Sequence, residues 1–135
     1  MKKKQNGVNK IAIFSFASFS LAAQSAFAAS VLDFDLWMDR MDIRIVDVQR
    51  KLASQDDEAA IAQAKEIEEL YAKMEDYFVA AGNAEDAVKI SREGKEMAGL
   101  IVKSVAAKDY EAGGNAAVTI ARACHDCHHV YRPFP

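Results

Sequence analysis

The chain has 135 residues, 17 basic and 20 acidic, with 51% hydrophobic and 9% aromatic residues. That is one domain's worth of chain and excludes a two-domain enzyme. All four lysines of the first 28 residues lie at the N-terminus, so residues 29–135 carry 13 basic and 20 acidic residues, a formal −7. So acidic a domain is a poor match for nucleic acid or anionic lipid, whose phosphates recruit positive surfaces. A basic redox or protein partner fits that charge.

In chain order, the first segment has the form of an export signal. Lys2, Lys3, Lys4 and Lys10 make a basic head, an uncharged apolar run follows from Ile11 to Ala23, and Ala26 and Ala28 supply an A-x-A end. This predicts a secretory signal peptide over residues 1–28, cleaved after Ala28, and a domain over 29–135 that works in the periplasm. The apolar run is shorter than the roughly 20 residues that span a bilayer, so cleavage is preferred to anchoring.

The rest reads as helix. No proline occurs between the leader and Pro133, and no strand-like alternation is bounded by turn residues. A first helix is expected from about Asp33 to Ala53. Met38, Met41, Ile45, Val48 and Leu52 form one stripe, with acids at its start and Arg50 and Lys51 at its end. Ser54 and Asp57 have the spacing of a capping box for a second helix, whose stripe is Ala60, Ala64, Ile67, Tyr71, Met74, Phe78 and Ala81, stopped by Gly82. Asn83 and Asp86 are expected to start a third, with Ala87, Ile90, Met97, Ala98, Ile101 and Val105 facing inward. Gly94 and Gly99 either weaken this helix or admit a close neighbour. A fourth is expected over Tyr110–Tyr131, ended by Pro133. Four amphipathic helices with short connections predict an all-α, antiparallel up-down-up-down four-helix bundle.

Both cysteines and all three histidines stand together in Cys124-His125-Asp126-Cys127-His128-His129. The first five make C-x-x-C-H. On a helix, residues three apart point to nearly the same side. Two thiols so placed can add to the two vinyl groups along one haem edge, and the next residue, His128, reaches the iron as an axial imidazole. In an exported chain the motif reads as c-type haem attachment. The alternatives fit less well. A Cys124–Cys127 disulfide closes a loop too small to constrain much. A thioredoxin-like site places C-x-x-C at a helix start after a strand. A closed zinc site draws ligands from two segments, and no other cysteine or histidine exists. His125, in the spacer, and His129, just after the axial residue, cannot reach the far face of the same haem and are expected at solvent.

The sixth iron position must be filled from elsewhere or left empty, and the inward methionines are Met38, Met41, Met74 and Met97. In an antiparallel bundle the start of the first helix lies beside the end of the last. Met38 lies ~21 Å from the end of its helix and His128 ~27 Å from the start of its own, at 1.5 Å per residue. These levels place Met38 slightly ahead of Met41. No acid–base pair stands out for catalysis, so the expectation is that the chain is not an enzyme.

An exported four-helix bundle whose only C-x-x-C-H lies on the last helix resembles cytochrome c′ and its low-spin relatives. The segment from Lys108 onward is similar to that family's closing pattern, C-x-x-C-H-x-x-[FY]-[RK], with Tyr131 and Arg132 in the last two places. The resemblance implies one covalent haem c, His128 as proximal ligand, and Arg132 beside the haem edge. It implies one of two activities. A ligating methionine closes the iron and gives an electron carrier, whereas a bulky distal side chain leaves it five-coordinate, for nitric oxide or carbon monoxide. In the family an arginine stands four residues before the distal residue; here Phe34 and Trp37 hold those places. Relatives dimerise through their first two helices, and Ile43 and Val46, off the main stripe, suit either a homodimer face or a wider buried face. With two methionines at the right level, electron transfer is the preferred reading.

Overall fold

The computed structural model describes residues 29–131. The expected signal segment, residues 1–28, and Arg132 lie outside the described residues. Four helices follow one another: α1 (Val31–Ala53), α2 (Asp57–Ala81), α3 (Glu85–Ala106) and α4 (Tyr110–Tyr131). Each packs on two neighbours around a ring, α1 on α2, α2 on α3, α3 on α4 and α4 on α1, and the α1–α4 seam is the thinnest. This is the all-α four-helix bundle expected. Its antiparallel sense shows in which residues meet. Leu52, near the end of α1, lies against Gly113, near the start of α4, while Tyr131, the last residue of α4, donates to the Asp86 carboxylate at the start of α3. Among the described residues no helix is long and apolar enough to cross a membrane.

The helix ends differ from expectation in instructive ways. Ser30 caps α1, three residues before the expected start: its side chain accepts from the Asp33 amide at 3.2 Å, and the Asp33 carboxylate accepts from the Ser30 amide at 2.8 Å. This reciprocal pair satisfies two amides that a helix start leaves unpartnered. Ser54 is the C-cap of α1 rather than the N-cap of α2. That role belongs to Asp56, which accepts from the Ala59 amide at 3.3 Å. Gly82 ends α2 at φ 75°, a left-handed conformation that glycine adopts without a Cβ penalty. Asn83 and Asp86 do not cap α3, whose N-cap is Ala84 with no side-chain hydrogen bond; the Asp86 carboxylate is engaged by Tyr131 instead.

The core follows the stripes. Met38, Met41, Ile45, Val48 and Leu52 are all buried, and Phe34, four residues earlier on the same line, extends them. In α2 Leu70 joins the buried set and Ala81 leaves it. In α3 the buried line is Ala87, Ser91, Gly94, Ala98, Ile101 and Val105, a 4-3-4-3-4 spacing, with Ser104 buried beside it. Ile90 and Met97, expected inside, are only half-buried. Ser91 tolerates burial because its hydroxyl donates to the Ala87 carbonyl at 2.8 Å. Ile43 and Val46 are 57% and 54% exposed, so they do not widen the buried face of α1.

Gly94 resolves in favour of a close neighbour. A Cβ built there would lie 2.2 Å from Cζ of Tyr71, so the tyrosine ring rests directly on the α3 backbone. Gly99 has no such neighbour; a Cβ there meets only Glu68, at 4.0 Å. Gly94→Ala is therefore expected to destabilise the bundle by about 1–3 kcal/mol in urea denaturation, as overpacking does. In a Tyr71→Ala background the same substitution should become neutral or stabilising, since alanine is the better helix former by about 0.5–1 kcal/mol. An unchanged cost in both backgrounds would show that the ring is not what Gly94 accommodates.

Candidate cofactor site

The inward line of α4 runs Gly113, Ala117, Ile120, Cys124, Cys127 and Tyr131, at spacings of four and three. The helical period thus carries both cysteines of the motif onto the face that meets the other helices. Cys127 is buried and Cys124 half-buried, and both carry free thiols. His128, one residue further round the helix, is half-buried on the flank of that face. Among the described residues its ring has no side-chain or backbone hydrogen-bond partner. His125 and His129 are exposed, as expected of them.

These side chains meet at one narrow cleft of about 20 Å³, lined by Cys124, Cys127 and His128 from α4, Met38 and Met41 from α1, Tyr71, Met74 and Phe78 from α2, and Ile90 and Ser91 from α3. All four helices contribute, which only an antiparallel arrangement with the start of α1 beside the end of α4 allows. Met38, Met41 and Met74 therefore share the cleft with the thiols and the imidazole; Met97 does not line it. Met38 and Met41 are 5% and 1% exposed. Among the described residues no three His, Cys, Asp or Glu side chains group so as to hold a metal ion.

Four lining residues carry no chemical signature in the sequence: Tyr71, Phe78, Ile90 and Ser91. Tyr71 is the most telling. Its hydroxyl lies 3.4 Å from Cys124 Sγ, while its ring is held over Gly94. Burial, reinforced by the adjacent thiol, drives its ionisation well above the ordinary tyrosine range, so it stays a neutral hydrogen-bonding group. Phe34 stands where the resemblance expects arginine, and it works as an aromatic. It stacks on Tyr77 at 4.8 Å between centroids and meets Phe78 edge-on at 5.3 Å; Phe78 in turn meets Tyr131 at 5.2 Å. The cluster closes the end of the bundle beside the cleft.

Electrostatically the cleft disfavours thiolate. Burial pushes the Cys127 thiol up to about 11, with Cys124 and Asp86 adding to the effect. Burial also raises Cys124, opposed by the Tyr71 hydrogen bond and assisted by Asp42.

The donor chemistry is of the kind a covalent haem would need. Two thiols and an imidazole come from a single turn, the surrounding wall is apolar, and thioether sulfurs stand across the cleft. Comparison with family models, with curated proteins and with solved structures finds no match for this chain.

In the chain with free thiols, Cys124 and Cys127 should alkylate with iodoacetamide at pH 8 at least about tenfold more slowly than a cysteine in an unfolded peptide. Because the folded thiols ionise later, the gap should narrow as pH rises towards 11. Equal rates at pH 8 would contradict the burial described.

Proposed function

We propose that this protein is an exported monohaem c-type cytochrome that carries electrons in the periplasm and is not an enzyme. The observation that carries this reading is the convergence of Cys124, Cys127 and His128 with the thioethers of Met38 and Met41 on one apolar cleft. Without that convergence C-x-x-C-H is a local pattern; with it, sulfur and imidazole donors from two helices share one cleft.

Each residue has a definite task. Cys124 and Cys127, three residues apart on α4, would hold the group through two thioether bonds. His128 would bind its iron. Met38, with Met41 one turn away as the alternative, would supply a further ligand. Phe34, Phe78 and Ile90 keep water from the cleft, and Tyr71 fixes the Cys124 side of it. When bound, the haem supplies one-electron chemistry at its iron, and a methionine–histidine pair raises its potential relative to other axial sets. Arg132 at the haem edge, a basic redox partner protein and a homodimer belong to the same reading. The formal −7 of residues 29–135 favours that partner's approach.

The test is an absorption spectrum of the chain expressed with a haem-attachment system, reduced with dithionite, before and after carbon monoxide. Sharp low-spin bands indifferent to the gas are expected. Broad bands that convert on adding it would overturn the electron-carrier reading and leave a five-coordinate binder of nitric oxide or carbon monoxide. A chain without covalent haem would overturn both.

Met38→Leu and Met41→Leu keep side-chain volume, so each should cost less than about 1.5 kcal/mol of stability. Met38→Leu is expected to abolish the low-spin spectrum and admit carbon monoxide, and Met41→Leu to leave it intact. The reverse result would assign the ligand to Met41.

A further inference from the structure

His125 and His129 take no part in the cleft, yet they are not scattered surface residues. They stand four apart on α4, the spacing that brings two side chains together on one helix face. Their rings meet with centroids 4.7 Å apart and planes at 78°. With metal–nitrogen bonds of about 2.0–2.1 Å, two imidazoles on adjacent positions of one ion hold their ring centroids roughly 4.5–5.2 Å apart. The observed separation falls in that range.

A second feature points the same way. The Asp126 carboxylate lies 3.5 Å from His125 Nδ1. A carboxylate beside a ring nitrogen is a common neighbour of a metal-bound histidine. His125 and Asp126 are 73% and 78% exposed in their side chains, so an ion would have open positions for water or a further ligand. The acidic charge of residues 29–135 raises the local concentration of cations.

We propose that His125 and His129 form a two-histidine surface site for a borderline divalent cation of the zinc, nickel or copper type. Imidazole donors select these ions over calcium or magnesium, which require oxygen. The site is separate from the cleft and does not depend on haem. His128 lines the cleft, whereas His125 and His129 are exposed.

The experiment is a calorimetric titration with zinc chloride of the chain as purified, repeated on Cys124→Ser/Cys127→Ser, in which neither haem nor thiols contribute. One zinc per chain is expected in both. His125→Ala and His129→Ala, each at an exposed position, should weaken binding at least about tenfold, because either leaves a single imidazole. Copper(II) on the oxidised chain should show nitrogen couplings from two imidazoles by paramagnetic resonance, and from one in either variant. Zinc affinity unchanged by both histidine substitutions, or no zinc bound at millimolar concentration, would overturn the proposal. Absence of covalent haem from the unsubstituted chain, with zinc still bound, would overturn only the cytochrome reading.

Discussion

Tyr71 joins three helices at one point. It comes from α2, lays its ring on α3 where Gly94 has no Cβ, and sets its hydroxyl 3.4 Å from Cys124 on α4. Remove the space at Gly94 and the ring must move, and the cleft that Tyr71 lines lies beside it. The width of the cleft and the placement of its first cysteine therefore share one cause. The same contact explains why a glycine sits in the middle of α3 despite its cost there of about 1 kcal/mol relative to alanine.

Around that point the rest of the site is a matter of helical register. The inward line of α4 starts with small residues, Gly113, Ala116 and Ala117, where Leu52 presses close. It ends with Cys124, Cys127 and Tyr131. Small side chains stand where α4 meets Leu52 of α1, and the thiols stand at the other end of the same line, beside the cleft.

How much of this was readable beforehand depended on what marked each position. On α1 and α2 the buried residues are large and apolar, and the 3-4 stripe located almost all of them. On α3 the buried line includes Ser91, Gly94 and Ser104, which carry no hydrophobic signal, so the apparent stripe drifted to Ile90 and Met97. The true line was recoverable only by extending the spacing from Ala98, Ile101 and Val105 backward. Cap residues misled where two candidates adjoined: Ser54 and Asp56 both have side chains fit to cap, and only the chain path between α1 and α2 assigns one to each end. The cysteines and His128 were legible because their chemistry is local to one turn. Tyr71 was not, because its role rests on a glycine 23 residues away in sequence and its hydroxyl serves a cysteine 53 residues away. Between Met38 and Met41 the fold brings both to the cleft, so the choice turns on depth along α1 and not on face.

The last turns of α4 divide one set of soft ligands by angle alone. Steps of three and four residues keep Cys124, Cys127 and Tyr131 on the inward line, and His128 flanks it. The neighbouring positions, His125 and His129, fall outside and meet each other. An imidazole on the flank, with apolar walls and thioethers across from it, is suited to a buried low-dielectric iron. Imidazoles on the outer face, with a carboxylate beside one of them and water around, are suited to an exchangeable ion. The histidines need not differ chemically for this. What separates them is the direction in which a helix of 3.6 residues per turn points each one, and the α2 and α3 surfaces that α4 packs against decide which direction is inside.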